Sequence, residues 1–139
     1  MTTTDLAMVI DNWAAAWSAH DADRFIALFT DDCVSEDVPV GVVNQGKQQL
    51  RDFANVVFEA FPDYAIQLTT RFAAGSFGSA EWLMTGTHQG DLGDMPASHK
   101  PMSVRGASVF ELHGDKIRRN SDYWDNLTFL KQLGFLPSS

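Results

Sequence analysis

The chain has 139 residues, 45% of them apolar and 12% aromatic, with ten Phe and four Trp. That is one domain's length (residues 1–139), able to bury about two-thirds of its unfolded surface, and its composition excludes a disordered chain. A formal charge of −8 argues against nucleic acid and against an acidic membrane surface, both of which attract clustered Lys and Arg.

The opening "MTTTDLAMVIDNW" has no basic start and no continuous apolar core, so it does not read as a signal peptide. No apolar run approaches the ~20 residues that span a bilayer, and a cytoplasmic location is expected. Residues 5–18 place Leu6, Val9, Ile10, Trp13 and Trp17 at helical spacing, with Thr4 or Asp5 as N-cap. "HDADRFIALF" continues as a short second helix capped by Asp21, with Phe25, Leu28 and Phe29 on one side. "CVSEDVPV" is a short strand stopped by Pro39 and "GVVNQG" a further extended piece. Cys33, the single cysteine, rules out an internal disulfide and reads as a small buried hydrophobe. In "KQQLRDFANVVFEAF" the apolar residues return to helical spacing, and Pro62 ends the helix.

After Pro62 the period changes from 3.6 to 2. Tyr64, Ile66, Leu68, Thr70 and Phe72 share one face of a strand, and Gln67, Thr69 and Arg71 the other. "GSFG" turns the chain into a strand of about residues 79–88 with Trp82, Met84, Gly86 and His88 on one face. "QGDLGDMPASHKP" is a Gly/Pro loop of the kind that borders a site or an interface. A long strand, 102–112, passes through "HGD" into the last one, 116–124, and Asn126 and Gly134 bracket a final helix. The order αα-β-α-ββββ-α implies a segregated α+β domain in which a curved antiparallel sheet wraps the N-terminal helices.

"GVVNQGKQ" has the glycine and lysine spacing of a phosphate-binding loop, but Gln48 stands where Ser or Thr would hold magnesium and two valines obstruct backbone approach. It reads as a turn before a helix. The four histidines show no metal-ligand spacing, so no metal is expected. His20, His99 and His113 read as solvated polar residues. His88 extends the Trp82 and Met84 face, and is either a pocket residue or an ordinary strand-end histidine.

"NSDYWDN" closes the last strand on two carboxylates. Alternation puts Asn120, Asp122 and Trp124 on one side and Ser121, Tyr123 and Asp125 on the other, so one carboxylate faces inward. Beside Trp it loses hydration, its pKa rises, and it can exchange a proton near neutral pH. Asp125 can instead help to cap the last helix. Glu36 and Asp37, at the end of the first strand, are further candidate acids or solvated rim charges.

At "EWLMTGTHQGDLGDMP", "MSVRGASVFELHGDKIRRNSDYWD" and "FLKQLG" the sequence resembles the SnoaL-like polyketide cyclase and ester-cyclase group of the nuclear transport factor 2-like superfamily. "WSAHDADRFIALFTDDCV" and "GVVNQGKQQLRDF" extend that resemblance to nearly the whole chain. It implies a conical α+β barrel with a deep apolar pocket, commonly paired as a homodimer through the sheet. It also implies an acid/base aspartate at Asp122, with Asp125 the next candidate.

The expected activity is proton transfer on a small, mostly apolar carbonyl compound, by cyclisation or isomerisation. Asp122 acts as base, His88 donates to the oxyanion, and no cofactor is needed. Trp13, Trp17, Trp82, Met84, Phe110 and Trp124 are the candidate pocket walls, with the aromatics among them equally readable as core. The alternatives are a non-catalytic module for a hydrophobic small molecule and an epoxide-hydrolase-like activity, though the chain holds no Arg-x-Asp pair for the latter. A trafficking adaptor finds little support.

Overall fold

The computed structural model describes residues 3–137, with side chains from Leu6 onward. Helix α1 (Thr3–Ala19) buries Leu6, Ile10, Trp13, Ala14 and Trp17, whose spacing of three and four residues makes one apolar stripe. The helix begins before Thr4 and Asp5, and the capping expected of their side chains lies outside the described residues. Helix α2 (Ala22–Ile26) is capped as expected, the Asp21 carboxylate accepting from the Arg24 N–H at 3.0 Å. It ends earlier than its apolar pattern suggests. Phe29 is not helical but opens strand β1 (Phe29–Asp37), opposite Ile117, where full burial of its ring outweighs one more helical turn.

Pro39 then closes β1 through one 3-10 turn, and β2 (Val42–Gln45) folds back antiparallel on it. Gly46 caps helix α3 (Lys47–Ala60), so the phosphate-loop-like spacing is a strand-to-helix turn. Four strands follow: β3 (Ala65–Ala74), β4 (Phe77–Thr87), β5 (Pro101–His113) and β6 (Lys116–Trp124). Helix α4 (Asn126–Leu133) completes the fold. Its cap is Asp125, not Asn126, and Gly134 ends it at φ 86°, a left-handed conformation that suits glycine.

The six strands form one curved, unclosed sheet in the order β2-β1-β6-β5-β4-β3. Every pairing is antiparallel except β1 with β6, which runs parallel. That parallel pair sets Asp37 directly beside Asp122. The concave face holds the core against α1, including Trp13, Trp82, Val104, Phe110 and Ile117, each buried side chain of this size contributing about 1.5–3 kcal/mol.

One expected alternation fails. A bulge between Leu68 and Thr70 reverses the faces of β3, so Phe72 turns outward at 64% exposure while Arg71 reaches Asp11 of α1, Nε to Oδ1 at 2.6 Å.

Candidate active site

Between the concave sheet, α1, α3 and α4 lies a cavity of about 520 Å³. The sheet supplies Trp82 and Met84 from β4, Met102 from β5, and Asp122 and Trp124 from β6; α1 supplies Trp13 and Trp17, and α3 supplies Phe53, Val56 and Val57. The Gly/Pro loop between β4 and β5 contributes Leu92, Gly93 and Met95, held by a two-way backbone pair between Leu92 and Met95. Among the described residues two carboxylates, Asp37 and Asp122, lie on this surface, and no Lys, Arg or His lines it.

Asp122 faces inward because β6 keeps its alternation from Asn120 to Trp124. Its carboxyl opens onto the apolar cavity and not onto bulk water, so its residual exposure does not hydrate it as a surface carboxylate is hydrated. Burial pushes its pKa up to about 7, Asp37 adds to the rise, and hydrogen bonds from Ser108 and Asn120 oppose it. The Ser108 hydroxyl donates to Asp122 Oδ1 at 2.5 Å, the Asn120 amide donates to the same oxygen at 3.0 Å, and the Trp82 indole N–H donates to Ser108 Oγ at 2.9 Å. Asp37 is raised to about 6 by burial, against a 2.6 Å hydrogen bond from the Trp124 indole N–H.

Tyr64 also lines the cavity, and its hydroxyl has a thioether, Met84 Sδ at 3.6 Å, as neighbour. Burial first, then the charges of Asp122 and Asp37, push its phenol well above the usual range, so it stays protonated.

The other expected site residues fall elsewhere. His88 is fully buried but outside the cavity, stacked on Phe61 and against Phe135. Its Nδ1 accepts from the Ser98 N–H at 3.1 Å, and burial lowers its pKa. The strand carries it past the end of the cavity, so it is not placed to act as oxyanion donor. Asp125 is exposed at the head of α4, where its carboxylate accepts from Thr128 N–H and Oγ1 at 3.0 and 2.6 Å; those bonds lower its pKa. Phe110 is packed edge-on beneath Trp13 at 5.1 Å, a core residue behind the wall. Glu36 alternates away from Asp37 and does not reach the cavity. Trp13, Trp17, Trp82, Met84, Trp124 and Asp37 do line it. Among the described residues no cluster of three or more His, Cys, Asp or Glu could hold a metal ion.

The sequence matches the SnoaL-like polyketide cyclase family over residues 7–133. The chain belongs to that family. Solved SnoaL-like and related structures share its fold at low identity. One is a SnoaL-like protein assigned as a polyketide cyclase from Jannaschia sp. CCS1, with TM-score 0.87 and 18% identity over 97% of this chain and 95% of that one. A second protein assigned as a polyketide cyclase, from Xanthomonas campestris pv. campestris, has TM-score 0.83 and 19% identity over 95% and 98% of the two chains. A protein with a ketosteroid isomerase-like fold from Catenulispora acidiphila, in complex with trimethylamine, gives 0.82 and 21% over 94% and 95%. No curated protein sequence matches significantly.

Sequence reasoning missed the polar residues around Asp122: Ser108, Asn120 and Ser35, each buried. The signal available was parity, since Asn120 and Ser108 occupy inward positions of their strands, where an apolar residue would be expected.

Proposed function

We propose that this chain is a cofactor-independent enzyme of the cyclase or isomerase type, acting on a small, mostly apolar, uncharged carbonyl compound. The observation that carries the reading is Asp122, a carboxyl raised to about 7 that opens on an aromatic cavity of about 520 Å³. A group half-ionised near neutral pH is suited both to take and to return a proton. Ionised Asp122 removes a proton from the carbon next to the carbonyl and becomes the neutral acid. The electron pair moves onto the carbonyl oxygen, where the Tyr64 hydroxyl donates a hydrogen bond in place of the role expected of His88. The enolate carbon then attacks a second carbonyl of the same molecule, closing a ring, or is reprotonated by Asp122 at another carbon, giving an isomer. In either case Asp122 returns its proton.

The walls favour that substrate class. With two acids and no cation on the cavity surface, a carboxylate or phosphate would meet only repulsion and desolvation. The same reading has the chain cytoplasmic, without nucleic acid or membrane as partner, which the charge of −8 favours. It also has the chain as a homodimer. On the outer sheet face Val34, Val109 and Tyr123 are exposed at 37%, 49% and 49%, and their strands are neighbours.

Turnover of a panel of uncharged diketones and β-keto esters tests the activity. Asp122→Asn should lower the rate roughly 10²–10⁴-fold while ligand affinity persists. Binding without turnover by the natural protein would establish a carrier of hydrophobic small molecules instead.

A further inference from the structure

We propose that Ser108 and Asn120 are positioning residues that saturate Oδ1 of Asp122 and leave Oδ2 as the carboxylate atom that gives and takes the proton. The inference deepens the acid/base reading of Asp122 and rests on it. Its source is the direction of donation around one oxygen. An indole N–H can only donate, so the 2.9 Å contact from Trp82 Nε1 occupies a lone pair of Ser108 Oγ. The hydroxyl's own hydrogen is thereby turned toward Asp122 Oδ1, at 2.5 Å, the length of a charge-assisted bond.

Asn120 is oriented from the other side. Ser35 Oγ donates to its Oδ1 at 3.1 Å, and its Nδ2 lies 3.0 Å from Asp122 Oδ1 and 3.4 Å from the Val109 carbonyl. The reversed amide would set an oxygen against both acceptors, which excludes it. Both lone pairs of Oδ1 are therefore engaged, whether or not the carboxyl carries a proton. Among the described residues Oδ2 has no such donor, and it is the oxygen left to turn to a ligand.

The groups that act on Asp122 are Ser108 from β5, Asn120 from its own strand and Asp37 from β1, while Tyr64, just ahead of β3, faces the same cavity and feels the charge of Asp122. Asp37 opposes ionisation, and the two hydrogen bonds favour it. Removing a donor must therefore raise the carboxyl's midpoint, with Asp37 unchanged to reinforce the effect.

Carbon-13 NMR titration of the aspartate carboxyls in the full chain tests this, with Asp122→Asn to assign the resonance. Ser108→Ala should raise the Asp122 midpoint by about one pH unit, and Ser108→Thr, which keeps the hydroxyl, should restore it. Asn120→Ala should shift it in the same direction, and serves if Ser108→Ala does not fold. A midpoint unchanged or lowered in the variants that fold overturns the proposal. The titration needs no substrate. Shifted midpoints in a protein without turnover would uphold the positioning and refute the enzymatic function; unshifted midpoints in an active protein would do the reverse.

Discussion

At the residue scale the consequence of burying Asp122 is a stability that falls with pH. Its carboxyl titrates at about 7 in the folded protein and near 3.8 once exposed. A raised acid in the folded state contributes its full stability below about 4, and that contribution is lost as pH rises through 7. Asp37, raised to about 6, acts with the same sign. Asp122→Asn keeps an oxygen to accept from Ser108 and Asn120 and removes the charge. It should therefore raise the stability at pH 8 by on the order of a few kcal/mol, read as a higher melting temperature, and leave it nearly unchanged at pH 4. A lower melting temperature at pH 8 would contradict the burial account. Asp125 is the control. As an exposed cap its loss in Asp125→Ala should lower the melting point by roughly 2–6 °C and leave turnover intact, where the sequence ranked Asp122 first as the base and Asp125 next. Strand parity was sufficient to choose between them, because no bulge interrupts residues 120–124.

At the scale of elements the site depends on β5 passing close beneath the Trp82 ring. A side chain at Gly106 would place its Cβ 2.4 Å from the Trp82 ring, so glycine there is a matter of space. Gly106→Ala must displace the ring, weaken its bond to Ser108, and loosen the hold on Asp122. We expect about 1–3 kcal/mol of lost stability in urea unfolding, with a rise in the Asp122 midpoint; a neutral substitution would show that the ring is not held there. The helices, the strand order along the chain and the loop beside the cavity were legible from periodicity and from Pro and Gly. The parallel pairing of β1 with β6, which sets Asp37 beside Asp122, was not, because register between strands 80 residues and more apart has no local signature. The same limit hid Ser35, Ser108 and Asn120, whose roles exist only once three strands are aligned. The bulge in β3 turned Phe72 outward against its period of two, and His88 kept the inward parity but overran the cavity. Parity gives a face, not a distance along it.

For the whole molecule the outer sheet face makes a separate prediction. Light scattering should report a dimer at micromolar concentration, and Tyr123→Arg, which adds a charge to the exposed outer face of β6, should shift it toward monomer. A natural monomer would remove the dimer from this account without touching the cavity, whose lining comes from one chain. Family membership over residues 7–133 and structural likeness at about 20% identity establish the fold and leave the chemistry to the site. The chemistry we propose is proton abstraction by Asp122, and hydrogen–deuterium exchange follows it without knowledge of the product. In heavy water, with uncharged cyclic ketones and β-keto esters as probes, NMR should show catalysed deuterium incorporation next to the carbonyl. It should rise as pH passes through about 7 and be lost in Asp122→Asn. A probe that occupies the cavity without exchange, or exchange undiminished in Asp122→Asn, would contradict the account.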